Sequence, residues 1–155
     1  MRRCPTASAG CSFARKIMSS TPEEILRRAS TIAVVGASRD DSKAAAQVPR
    51  TLQRRGFRIV PVNPLADTLF GERAYKSLSD IPFPVDVVDV FRPSADAAEI
   101  ARQAAAIGAR ALWLQQGIVS AEARSVALAA GMDYVEDRCL AVEASIHRIF
   151  RENPL

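Results

Sequence analysis

Five short apolar runs, separated by helical patterns or turn-rich stretches, restrict this chain to an open α/β sheet. TIAVVG (31–36), FRIVPVN (57–63), PVDVVDVF (84–91), ARALWLQ (109–115) and MDYVED (132–137) are rich in Val, Ile and aromatic residues, as strands covered on both faces are. AAQVPRTLQRRG, SADAAEIARQAAAIG and SAEARSVALAAG read as helices, each closing on a glycine suited to the left-handed residue beyond a helix. Strands alternating with helices predict βαβ units, giving a parallel sheet of about five strands with helices on both faces.

The helix ends carry their own signals. Thr21, Pro22, Glu23 and Glu24 supply a cap, a proline at the first helical position and acids in the first turn, which predicts a short helix within TPEEILRRAS. Ser94 and Ser120 stand at N-cap positions of the second and third crossover helices, followed by Asp96 and Glu122. Pro49 suits a first helical turn rather than an interior. It places the start of the first crossover helix as late as Gln47 and leaves residues 37–46 as a long wrapping loop. LADTLFGERAYKSLSDIPFP predicts a short extended piece and one helical turn, and LAVEASIHRIF a terminal helix.

A chain of 155 residues with 48% hydrophobic residues makes one domain. Its expected limits are an extension over 1–20, the domain over 21–150 and a tail over 151–155. The net charge of +4 suggests nucleic acid until its position is read. Arg2, Arg3, Arg15 and Lys16 precede Met18 and no acid does, so 17 basic and 17 acidic residues balance in the rest. The excess belongs to the extension, which argues against a nucleic-acid partner. Nothing approaches the ~20 apolar residues of a membrane span, and the extension lacks the apolar run of a secretory signal. Its Arg and Ser content fits an organelle transit peptide, or a disordered extension with Met18 opening the domain. Cys4, Cys11 and Cys139 form no disulfide framework and the single His147 no His-based metal site. The cytoplasm is the expected compartment.

Ligands of open parallel sheets bind at the carboxyl ends of the strands where strand order reverses. After the first strand come Gly36, Ala37, Ser38 and Arg39. They suit an anion at a helix start, or simply a tight turn. After the second stand Asn63 and Pro64, where a dinucleotide site would place an acid. Phe91 and Arg92 follow the third. Arg92 suits phosphate, or a surface salt bridge with acids such as Asp89. Gln116 and Gly117 follow the fourth, against a ligand or in a plain turn, and Asp137, Arg138 and Cys139 complete the rim.

The ordered motifs GAS, PVNP, VDVVDVFRPS, ALWLQQG and EDRC resemble the CoA-binding protein family of small stand-alone domains. That family is similar to the CoA-binding domain of the succinyl-CoA synthetase alpha subunit. The resemblance covers about residues 21–150 and implies a Rossmann-like domain holding coenzyme A, or an acyl-CoA, along the carboxyl edge. By the same resemblance Gly36, Ala37 and Ser38 meet phosphate, with Arg39 and Lys43 as loop cations. Asn63 and Pro64 border the nucleotide, Phe91 and Arg92 line the crevice, and Gln116 and Gly117 lie toward the pantetheine arm. Two departures stand out: only small residues between Ala44 and Val48 apart from Gln47, and Leu140, Ala141 and Val142 where relatives often carry a lysine after DRC.

The expected function is therefore a non-catalytic CoA-binding module, with a protein partner or a second copy of the chain allowed. The alternative is an NADP-dependent oxidoreductase, or another nucleotide-using enzyme, on the same sheet. A thiol at Cys139 suggests either a mixed disulfide with the CoA sulfur or a small buried hydrophobe.

Overall fold

A computed structural model of the chain describes residues 20–152. The expected extension, except Ser20, lies outside the described residues, with Cys4, Cys11 and Met18. The elements in chain order are α1 (Pro22–Arg28), β1 (Thr31–Val35), α2 (Ala44–Arg54), β2 (Arg58–Val62), β3 (Thr68–Leu69) and β4 (Glu72–Arg73). They continue with β5 (Val87–Val90), α3 (Ala97–Ala106), β6 (Ala111–Leu114), α4 (Ala121–Ala129), β7 (Asp133–Val135) and α5 (Leu140–Ile146). The five main strands form one parallel sheet in the order β2-β1-β5-β6-β7.

The five expected strands are these five. Alternation along each strand divides the core in two. Ile32, Val34, Val87 and Trp113 face Leu26, Leu52 and Leu140 from α1, α2 and α5. Ala33, Val88 and Leu112 face Ile100, Ala101, Ala123 and Ala127 from α3 and α4. The alanines of α3 and α4 bring two helices close to the sheet at little side-chain entropy cost, while burial of a side chain such as Leu112 contributes roughly 1.5–3 kcal/mol.

At α1 the expected cap forms in full: the Glu24 amide donates to the Thr21 hydroxyl at 3.2 Å, and the Thr21 amide to the Glu24 carboxylate at 3.0 Å. Ser120 caps α4 through the Ala123 amide. Ser94 does not cap α3. Residues Ser94–Asp96 form a 3-10 turn before that helix, and the Ser94 hydroxyl instead accepts the Val119 amide at 3.2 Å, linking the β5 and β6 loops. In the turn-rich stretch, the β3–β4 hairpin and a 3-10 turn at Leu78–Asp80 replace a crossover helix.

The largest correction concerns α2. It begins at Ala44, not Gln47, and contains Pro49 in its interior. A proline there removes the N–H that would reach the carbonyl of Ala45. That carbonyl instead accepts the amide of Ser38 at 3.2 Å. An outside donor fills the bond Pro49 cannot make, and the loop shortens to residues 37–43.

The C-terminal segment closes the fold through arginine at helix ends, where cations are favoured. Arg151 donates to the carbonyls of Leu26 (2.6 Å), Ala29 (2.7 Å) and Arg27, and Arg55 to that of Ile149 (3.1 Å).

Candidate functional site

With β1 between β2 and β5, strand order reverses at the carboxyl ends of β1 and β5. Gly36 leaves β1 there with φ 87°, a conformation open to glycine at no steric cost. A Cβ at this position would lie 3.1 Å from Cδ of Arg92 and 3.2 Å from the carbonyl carbon of Phe91. The crevice floor is thus Gly36 packed directly on the Phe91 backbone and the Arg92 side chain, and Phe91 is itself tied to β1 by its amide at the Val35 carbonyl, 2.9 Å.

Each residue of the turn is anchored to a different group. The Gly36 amide donates to the Val62 carbonyl at 3.3 Å. The Ala37 carbonyl accepts Nδ2 of Asn63 at 2.9 Å. The Ser38 amide reaches α2 as described. Asn63 is held in turn by the Leu65 amide at its Oδ1, 2.7 Å, and by its own amide at the Tyr75 carbonyl, 2.9 Å. Asn63 therefore orders the turn through its Nδ2 while its oxygen is fixed by the loop after β2.

Beyond Ser38 the loop bonds to itself. The Ser38 hydroxyl accepts the Asp40 amide at 3.0 Å, and Asp40 accepts the Ser42 amide at 3.0 Å and hydroxyl at 2.7 Å. The Ser42 bonds hold the Asp40 carboxyl below its usual range. Lys43 sits exposed at the start of α2, whose first turn has no side-chain cap, so leading amides of that helix are left for solvent or an anion.

The other expected residues take distinct places. Arg39 is exposed and donates to the Leu65 carbonyl at 3.3 Å, while the Pro64 carbonyl accepts Nζ of Lys76 at 3.3 Å. Arg92 is exposed and pairs with Asp96 at 3.0 Å. Asp89 is not its partner, because that carboxyl points into the core. Gln116 and Gly117 lie exposed beyond β6, and the Gly117 amide already serves Oδ1 of Asp137 at 2.7 Å. Cys139 is half-buried beside the first core with its thiol free. The structure brings Gly36, Ala37, Ser38, Asn63, Phe91 and Arg92 into one cluster, with Arg39 beside it. It sets Gln116 and Gly117 on the far side of β5.

Sequence reasoning placed Gln115 and Asp137 after their strands but did not foresee the partners of Asp89, Gln115, Asp137 or Pro49. Asp89 is fully buried in the central strand, in register with Val34 and Trp113. Gln115 Nε2 donates to its Oδ1 at 2.7 Å and its Oδ2 has no partner. Burial, partly offset by the Gln115 bond, pushes its carboxyl up to about 7. A lone acid in VVDV, one residue from the strand end, was the available signal. Asp137, at φ 55°, ties the β7 exit to the β6 exit.

The NAD signature stays missing in space as in sequence. The end of β2 presents Asn63, and Arg58, at the opposite end of that strand, stacks its guanidinium 3.8 Å from the centre of the Phe83 ring. Among the described residues no group of His, Cys, Asp and Glu could hold a metal ion, and no helix is long and apolar enough to cross a membrane.

A five-stranded parallel sheet between two helix layers, with a glycine turn at its switch point, defines a Rossmann-like α/β domain. Residues 30–145 match the family described as CoA binding domain, and the chain belongs to that family. It is 36% identical over 124 residues to the uncharacterized protein YneT of Bacillus subtilis, covering 80% of this chain and 92% of that one. A solved structure from Thermus thermophilus superposes with a TM-score of 0.78 at 41% identity, covering 83% of this chain and 99% of that chain. Part of an ADP-forming acetate–CoA ligase of Archaeoglobus fulgidus is 35% identical over 80 residues, half of this chain and 12% of the enzyme.

Proposed function

We propose that this domain binds coenzyme A, or an acyl thioester of it, along the carboxyl edge of its sheet and performs no catalysis itself. The carrying observation is the Gly36 turn at the switch point, anchored at three points and packed on Arg92, in a chain of the CoA binding domain family. The residues fit the ligand. Gly36 lets the turn pack against Phe91 and Arg92, Ser38 and the uncapped start of α2 offer donors, and Arg39, Lys43 and Arg92 supply positive charge.

The non-catalytic reading is supported by the position of His147. It lies at the far end of α5 from the crevice, 3.7 Å from the carboxylates of Glu23 and Glu143. A carrier, sensor or partner of a larger CoA enzyme fits such a module, and the cytoplasm is its proposed compartment. A ligand that binds only the native state adds about 2.7 kcal/mol of stability at a hundredfold excess over its dissociation constant. CoA and acetyl-CoA are expected to raise the melting temperature, and NADP, NAD and ATP to raise it little. A shift with NADP and none with CoA overturns the reading.

A further inference from the structure

Pro49 sits buried in the interior of α2, where proline normally weakens a helix. Its position coincides with one specific bond. The carbonyl left without a helical donor is that of Ala45, and it is this carbonyl that accepts the amide of Ser38 at 3.2 Å. In an unbroken helix, residue 49 would donate to Ala45 along the axis and the ring would not crowd the carbonyl. A proline both withdraws the donor and pushes the carbonyl of the preceding turn away from the axis. Ser38 is the last of the three turn residues, and the other two are held by β2 and Asn63. Without the Ser38–Ala45 bond the turn is tied only on its β2 side.

We infer that Pro49 is a positioning residue: by freeing the Ala45 carbonyl for the Ser38 amide it fixes the Gly36–Ser38 turn in the shape that receives the ligand's phosphates. The inference rests on the coenzyme A reading for the identity of the ligand, but not for the hydrogen bond. The helix irregularity is the means by which the sheet edge is ordered before the ligand arrives, so ordering is not charged against affinity.

The test uses the full chain and the variants Pro49→Ala and Pro49→Val. Both restore the N–H at 49, while they differ in side-chain volume and helix propensity. In ligand-free protein the Ser38 amide is expected to exchange with solvent at least about tenfold faster in both variants than in the parent. CoA is expected to bind about tenfold more weakly to both. The two losses of affinity should match even where the two melting temperatures differ, which a purely structural role would not produce. Unchanged Ser38 exchange in both variants overturns the inference, as does an affinity loss that follows melting temperature. Faster Ser38 exchange in a protein whose parent form binds no CoA overturns the ligand assignment while the positioning role stands.

Discussion

Asn63, at the end of β2, donates its side-chain amide to the carbonyl of Ala37, at the end of β1, across 2.9 Å. Its oxygen accepts the Leu65 amide on the other side at 2.7 Å. One side chain thus connects two strand exits and a loop at the edge proposed to hold the ligand. Asn63→Ala is expected to cost about 1–3 kcal/mol of stability, two hydrogen bonds at roughly 0.5–1.5 kcal/mol each. Asn63→Asp keeps the acceptor for Leu65 but sets a carboxylate oxygen against the Ala37 carbonyl. Both variants should weaken CoA binding, and equal binding by Asn63→Asp and the parent, measured by calorimetry, contradicts the role.

Arg92 separates charge from folding. Its pair with Asp96 at 3.0 Å is exposed, and exposed pairs contribute about 0–1 kcal/mol. Arg92→Ala should therefore leave the melting temperature nearly unchanged while weakening CoA binding about tenfold or more, as loss of a charge-assisted phosphate contact does. Asp96→Ala releases the guanidinium and should leave binding equal or tighter. If Asp96→Ala weakens CoA as much as Arg92→Ala does, the pair is structural and Arg92 does not meet the ligand.

A side chain at Gly36 would be both strained and crowded. Alanine at φ 87° costs on the order of 1–2 kcal/mol in backbone strain alone, and its methyl would press within 3.2 Å of the Phe91 backbone. The flexible Arg92 side chain can yield, but the Phe91 carbonyl carbon cannot without shifting β5. Gly36→Ala is expected to fold with a lowered melting temperature and to lose CoA binding beyond what its stability explains. Full binding in a folded Gly36→Ala protein contradicts the crevice floor described above.

Asp89 gives stability a pH dependence of known sign. Its carboxyl titrates near 7 in the folded protein against 3.8 ordinarily. The stability it lends is complete below about pH 4 and is lost as pH rises through 7, because ionising a buried carboxyl disfavours the folded state. The loss over that window is about 4 kcal/mol, at about 1.36 kcal/mol per pH unit of displacement. Asp89→Asn keeps the acceptor for Gln115 Nε2 and removes the titration. Denaturant unfolding should show Asp89→Asn gaining on the parent by roughly this amount between pH 4 and pH 9. A difference independent of pH contradicts the assignment.

Much of the fold was legible because its signals are local. TPEEILRR carries its own cap, and the strands are apolar runs bounded by glycine and polar residues. Where the signals are tertiary, sequence reading failed in specific ways. Pro49 looked like the start of a helix because its compensation, the Ser38 amide, comes from another segment. Ser94 looked like a cap because its true partner, the Val119 amide, lies 25 residues on. Asp89 looked like a partner for Arg92, yet strand alternation turns it inward, beside Trp113 and Gln115. At the site, Gly36 to Ser38, Asn63, Phe91 and Arg92 were recognisable as strand exits and do cluster. What spacing could not show is that Asn63, Arg92 and the Gly117 amide already have partners within the protein.

The most direct measurement is calorimetric titration of the full chain with CoA at neutral pH, followed by NADP as competitor. The account predicts saturable one-to-one binding of CoA that NADP does not displace, and loss of that binding in Gly36→Ala. No binding of CoA, or tighter binding of NADP, would contradict it.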